Sequence, residues 1–158
     1  MGSSTTSFDG AVVVDSGGLY HIVNCHTREA ARLNKMALSG DLRLLAPMVV
    51  FSDCSAMRMC WDAECIKEEE GATAFNTLRD FHARRGVEVI QPSTEFALAA
   101  GELYERCIAR HVLGSEVLSC CHAALLAERE GLPLVSVNEA RYCYVPISSA
   151  DSMQVHFV

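Results

Sequence analysis

Short apolar runs rich in Val, Leu and Ile predict the strands of this chain. Such runs, bounded by Gly, Pro or polar residues, are typical of strands buried in a sheet. The last of them, at the tail, predicts an edge strand. The runs are AVVVD at 11–15, LRLLAP at 42–47, VEVIQP at 87–92, LPLVSV at 132–137 and SMQVHFV at 152–158.

Segments with apolar residues at helical spacing lie between these runs and predict helices. Residues 48–85 predict two helices with a break near Gly71, and Ser93 or Thr94 is placed to cap the helix that follows. The predicted helical segments are 19–38, ending near Gly40, the two within 48–85, one from Ser93 or Thr94 to about His111, and 116–130.

Strands that alternate with helices predict an α/β sandwich with a central, mostly parallel sheet. The 158 residues match one domain, and a 50% hydrophobic content supplies a packed core. We expect residues 1–10 to form a disordered N-terminal segment and residues 11–158 to form a single domain.

Charge and cysteine content exclude several classes of protein. Thirteen Lys and Arg against twenty Asp and Glu give a net charge of −7, which excludes nucleic-acid binding by bulk charge and requires a local basic cluster instead. The sequence has no apolar stretch long enough for a bilayer and no signal peptide, so a cytoplasmic protein without membrane contact is expected. The eight cysteines form no CxxC pair, which indicates reduced structural thiols rather than a zinc site.

Polar side chains with oxygen ligands follow the predicted strands. Asp15 ends the first strand, Asp53 lies near the start of a helix after the second, Glu116 opens a helix, and Asn138 follows the fourth strand. Ligands of parallel sheets bind at the carboxyl ends of the strands, where these four side chains can converge. Carboxylate and amide oxygens suit Mg²⁺ or Mn²⁺, which activate water for attack on a phosphodiester.

A structural interpretation of the same acids stays open. An acid at a helix start caps the helix and complements its dipole, and Asp53 and Glu116 both fit that description. Asp15 fits it less well, because a carboxylate beside a buried VVV run costs free energy unless it has a partner.

The order of these segments resembles the PIN domain, and most closely the VapC-type toxins of bacterial toxin–antitoxin pairs. The matching segments, which span about 11–145, are VVVDSGGLYHIV, LLAPMVVFSDCSAM, VLGSEVLSCCHAALLAEREGLPLVSV and SVNEARY. The resemblance implies a three-layer α/β/α sandwich and an acidic pocket for Mg²⁺ or Mn²⁺. It also implies a single-strand-directed ribonuclease that forms a homodimer and is inhibited by an antitoxin protein.

Carried over by position, the resemblance makes Asp15, Asp53 and Glu116 the catalytic, metal-binding acids, with Asn138 as a further ligand. Asp15 matches the family pattern, but Asp53 stands where a glutamate is usual and Glu116 where an aspartate is usual. Ser136 stands at the position where the family has Ser or Thr. A methylene moves a carboxylate by about 1.5 Å, and Mg²⁺ tolerates little departure from octahedral geometry. The two exchanges therefore either compensate each other or mark a member with weakened activity.

Three functions remain open at this point. The first is a metal-dependent ribonuclease of toxin type, and the second is a catalytically inactive PIN-fold protein that acts as a binding or regulatory partner. The third is a nucleotide-binding domain, although neither GxGxxG nor GxxxxGK[ST] is present.

The helix containing AMRMCW at 56–61 is a candidate surface for a dimer or an antitoxin. The candidate RNA contacts are Arg28, Lys35, Arg110, His111 and Arg141.

Overall fold

The computed structural model describes residues 8–61, 77–109, 117–137 and 154–158, with side chains omitted for 56–61. Strands and helices alternate along these residues. The strands are β1 (Ala11–Val14), β2 (Arg43–Pro47), β3 (Glu88–Ile90), β4 (Leu134–Ser136) and β5 (Val155–Phe157). The helices are α1 (Ser16–Asn24), α2 (Arg28–Ser39), α3 (Met48–Trp61), α4 (residues 77–83), α5 (Thr94–Ala109) and α6 (Val117–Glu130).

All five strands form one parallel sheet in the order β3-β2-β1-β4-β5. The three buried valines of β1, Val12–Val14, are inaccessible to solvent, as expected for the middle strand of a sheet covered on both faces. The register pairs Val13 with Leu45 of β2 and with Leu134 of β4. The chain has the predicted three-layer α/β/α architecture, with β5 at the edge as the tail pattern indicates.

Helix α6 carries much of the core. Its buried residues include Cys120, Cys121 and Ala124, and it packs on β1, β2 and β4 as well as on α3 and α5. Cys107 of α5 contacts Cys121, with the two Sγ atoms 3.9 Å apart. These thiols therefore fill space in the interior as small apolar side chains.

One sequence prediction needs correction. The single helix predicted over 19–38 is two helices, because Cys25 adopts a left-handed conformation with φ 52° and Thr27 caps α2 through its Oγ1. At the amino-terminal end of the described residues, Phe8 is buried and its ring packs edge-on against His156 at 4.9 Å. The predicted break near Gly71 lies outside the described residues.

The remaining boundaries follow the sequence closely. Gly40 ends α2 with φ 84°, and Ser93 rather than Thr94 caps α5 by accepting the Phe96 N–H at 3.1 Å. None of the helices in the described part of the chain is long and apolar enough to cross a membrane.

Candidate active site

Asp15 is the most constrained acid among the described residues. It follows β1 directly, is completely buried and caps α1. Its Oδ1 accepts the Gly18 N–H at 2.6 Å and its Oδ2 accepts the Ser136 hydroxyl at 2.5 Å. Its own N–H donates to the Val135 carbonyl at 3.2 Å. Hydrogen bonds to both oxygens offset the cost of burying a carboxylate and hold it in one orientation.

Two glycines make this orientation possible. A Cβ on Gly18 would lie 2.4 Å from the Val135 carbonyl oxygen and 3.1 Å from Oδ1 of Asp15. A Cβ on Gly17 would lie 2.6 Å from Cγ2 of Val137. The first turn of α1 therefore approaches the end of β4 more closely than a side chain allows. The sequence SGG after Asp15 is explained by this approach.

The second predicted acid, Asp53, lies in the second turn of α3, which begins directly after β2. Its side chain is half-buried, and its Oδ2 accepts the Ser119 hydroxyl of α6 at 2.8 Å. Ser119 is buried. The hydrogen bond fixes the Asp53 carboxylate on the side of α3 that faces α6.

The structure brings Asp15 and Asp53 to the same region. The strand register, continued to the residue after β1, places Asp15 beside Pro47, the last residue of β2 and the one before α3. Burial raises the pKa of the Cys54 thiol well above its usual range, and the nearby carboxylates of Asp53 and Asp15 raise this pKa further. One thiol is thus within electrostatic range of both acids.

The other two predicted ligands, Glu116 and Asn138, lie outside the described residues. Within the described residues, no group of three or more His, Cys, Asp and Glu side chains is placed to hold a metal ion. The described donors nevertheless suit Mg²⁺ or Mn²⁺ in kind, because they are hard carboxylate oxygens. Ser16 adds a buried Oγ that has no hydrogen-bond partner among the described residues, directly beside Asp15.

A ring cluster lies at the carboxyl end of α1. The rings of His21 and His26 lie 4.9 Å apart, and Tyr20 contacts His26 at 5.1 Å. Burial lowers the pKa of His21, as does the neighbouring His26, while a hydrogen bond with the Val158 backbone and the Asp15 carboxylate act in the opposite direction. The net effect lowers the pKa of His21, which favours its neutral imidazole.

The candidate RNA contacts are only partly placed. Arg28 and Lys35 are exposed on α2. Arg110, His111 and Arg141 lie outside the described residues, as do the side chains of the AMRMCW segment. The five candidate RNA contacts therefore stay a prediction.

Comparison of the fold with solved structures gives one consistent result. The chain is similar to VapBC2 from Rickettsia felis bound to a DNA fragment from their promoter, with TM-score 0.61 and 17% identity over 94% of this chain and 98% of that one. It is similar to PAE2754 from Pyrobaculum aerophilum, with TM-score 0.55 and 16% identity over 92% and 91%. The chain has a PIN-like fold.

A further structure with a PIN-like domain extends this similarity. FitAB bound to an IR36 DNA fragment matches with TM-score 0.52 and 12% identity over 92% of this chain and 94% of that one. No family model and no curated protein matches the sequence. The PIN-like fold of this chain is thus visible in the arrangement of its strands and helices, at 12–17% identity to these structures.

Sequence reasoning missed two groups at this PIN-like site. Ser119 is an ordinary helix residue in the sequence, and only the packing of α6 on α3 brings it to Asp53. Gly18 follows Asp15 in the sequence, but its close approach to β4 was not predicted. The glycine pair directly after an acid that ends a buried strand is the signal that identifies such an approach.

Proposed function

We propose that this protein is a divalent-metal-dependent ribonuclease of toxin type, which hydrolyses phosphodiester bonds of RNA. The observation that carries the proposal is the fully buried Asp15 carboxylate at the carboxyl end of the central strand, held by Gly18 and Ser136 with Asp53 nearby. A buried, fully oriented carboxylate in a parallel sheet is typical of a ligand site rather than of a surface cap.

In this proposal Asp15, Asp53, Glu116 and Asn138 hold Mg²⁺ or Mn²⁺. When bound, such an ion supplies a nucleophilic water and stabilises the charge on the leaving oxygen. Asp15 is the central ligand, and the hydroxyl of Ser119 orients Asp53 from behind. Removing a side chain that hydrogen-bonds to a metal-binding residue, as Ser119 does, typically lowers the affinity for the metal about 10- to 100-fold.

The proposed partners are an RNA substrate, a second copy of the chain in a homodimer, and an antitoxin protein in the cytoplasm. The fold similarity to VapBC2 and FitAB, both solved with DNA, supports an antitoxin partner.

A catalytically inactive PIN-fold protein that works as a binding or regulatory partner is the second candidate. Two observations favour it. Asp53 and Glu116 are exchanged in length relative to the family pattern. Both oxygens of Asp15 also accept hydrogen bonds already, which leaves fewer lone pairs for a metal.

Calorimetric titration of Mn²⁺ into the wild-type protein and into Asp15→Asn separates the two candidates. The ribonuclease predicts saturable binding that the variant loses, followed by Mn²⁺-dependent cleavage of a randomised single-stranded RNA pool. Asp41→Asn, at an exposed acid outside the site, is the matched control and retains wild-type binding. Absence of binding at millimolar Mn²⁺ overturns the ribonuclease and supports the inactive binding partner.

A further inference from the structure

A cavity of about 260 Å³ opens at the carboxyl ends of β2 and β3. Pro47 and Ile90, at the ends of β2 and β3, form part of its wall, and these two residues are paired in the sheet register. Its other lining residues are Gln91, Pro92, Ser93, Phe96, Leu126, Arg129 and Glu130. The volume is just below the range of roughly 300–1,000 Å³ of sites for drug-sized ligands. It therefore suits a single flat ring system.

The position of the cavity relates it to Asp15. The register places Asp15, Pro47 and Ile90 in one row across three adjacent strands. Neighbouring strands are about 4.8 Å apart, so the backbone of Pro47 lies roughly 5 Å and that of Ile90 roughly 10 Å from the Asp15 backbone. A nucleotide next to the one whose phosphate reaches Asp15 falls within this distance.

The lining of the cavity matches a base better than a phosphate. Pro47, Ile90, Phe96 and Leu126 give it an apolar lining, and the Arg129 guanidinium lies over the Phe96 ring at 5.3 Å from its centroid. Unstacked RNA bases pack on such aromatic and guanidinium planes. Arg129 is the one cation of the lining. Glu130 in the lining and Glu95, whose Oε1 is 4.0 Å from Arg129, make the surroundings net negative.

We propose that this cavity binds one base of the RNA substrate, adjacent to the phosphodiester positioned at Asp15. The inference rests on the proposed ribonuclease function and adds a determinant of its specificity. Gln91 and Glu130 line the cavity and carry side-chain oxygen acceptors, which recognise the exocyclic amino group of adenine, guanine or cytosine. Uracil has no such group and is the base that the cavity disfavours.

The first test is an NMR titration of the full chain with each of the four nucleoside 5′-monophosphates and with ribose 5-phosphate. Amide shifts at Gln91, Ser93 and Phe96 are expected with AMP, GMP and CMP, weaker shifts with UMP, and none with ribose 5-phosphate. Arg129→Ala is expected to weaken base binding about 5- to 150-fold, the range that follows from losing one stacking contact. Gln91→Ala is expected to weaken it about 2- to 13-fold, the range that follows from losing one neutral hydrogen bond. Arg106→Ala removes an exposed charge elsewhere on α5 and retains wild-type affinity.

Cleavage of the randomised RNA pool separates this inference from the proposed function. Metal-dependent cleavage with a base preference that Arg129→Ala and Gln91→Ala both relax supports the inference. Cleavage whose base preference is unchanged in both variants overturns the inference and leaves the ribonuclease intact. If bases bind at the cavity but no RNA is cleaved, the result supports base binding at the cavity and overturns the proposed ribonuclease function. Equal shifts with ribose 5-phosphate, or no shifts with any nucleotide, overturn base binding at the cavity. The occupant of the cavity would then be a side chain of a protein partner.

Discussion

Ser136 donates a hydrogen bond to Oδ2 of Asp15 at 2.5 Å, across a sequence separation of 121 residues. Both residues are completely buried, and the parallel pairing of β1 with β4 brings them together. The end of the fourth strand thus orients the carboxylate that ends the first. A single hydroxyl connects the packing of the sheet to the geometry of the proposed metal ligand.

Ser136→Ala is expected to lower the free energy of unfolding by about 1.5–3 kcal/mol, because it leaves one oxygen of a buried carboxylate without its donor. Urea denaturation measures this change. Ser39→Ala is the matched control, since Ser39 donates to Asp41 at 2.6 Å in an exposed Ser–Asp pair, and its loss should change stability by less than about 0.5 kcal/mol. Equal effects of the two substitutions would contradict the role given to the buried bond.

Gly18→Ala is expected to destabilise the protein by about 3 kcal/mol or more. The new methyl group would lie 2.4 Å from a backbone carbonyl oxygen, which cannot move without separating α1 from β4. Thermal unfolding shows the effect as a lower Tm.

Gly101→Ala is the control for this substitution, because Gly101 is exposed within α5 and a Cβ there meets nothing within 4 Å. This change should stabilise the protein by about 0.4–1 kcal/mol, since alanine restricts the unfolded chain and favours a helix. A Gly18→Ala variant as stable as Gly101→Ala is incompatible with the close approach described.

His122→Leu is expected to reduce the pH dependence of stability. Burial lowers the pKa of His122 below 6.5, and its Nδ1 has no hydrogen-bond partner among the described residues. The unfolded chain therefore binds more protons than the folded one near this pH, so the free energy of unfolding falls as the pH falls through about 6.5. Urea midpoints measured between about pH 7.5 and pH 5 test this, and a variant with the wild-type slope would refute it.

Alkylation is expected to distinguish the described cysteines. Cys25 is exposed at the end of α1, whereas Cys54, Cys107, Cys120 and Cys121 are buried. Burial also raises the pKa values of Cys54 and Cys121, which keeps them as unreactive thiols. Peptide mapping after brief iodoacetamide treatment should show Cys25 modified and the other four protected. All five should react in urea, and rapid native labelling of Cys121 would contradict the packing of α6.

The sheet and the position of Asp15 could be predicted because strong local patterns encode them. The valine run of β1 has one compatible environment, and an acid directly after it must lie at the strand's carboxyl end. The break between α1 and α2 could not be predicted in this way. Cys25 adopts the left-handed conformation that glycine or asparagine usually occupies, so its residue type gives no signal for the end of α1.

The contact between Asp53 and Ser119 depends on tertiary packing, which no local pattern encodes. The helical periodicity of α6 predicts which residues share a face, but not which neighbouring helix that face meets. Helix α6 is buried on nearly all sides, so its sequence does not mark Ser119 as facing an acid. The cavity beside Phe96 could not be predicted from the sequence for the same reason, because its lining comes from two strand ends and two helices.

The pairing of β1 with β4 also has a consequence for synthesis. The central strand needs a neighbour whose residues are made more than a hundred positions later, so the Asp15 carboxylate has no Ser136 partner while the nascent chain is still short. Contacts of such long sequence separation form slowly, because the loop must close before any pairing compensates for its entropy. The pairing of β1 with β4 and the hydrogen bond from Ser136 to Asp15 therefore cannot form during synthesis until β4 has emerged from the ribosomal exit tunnel.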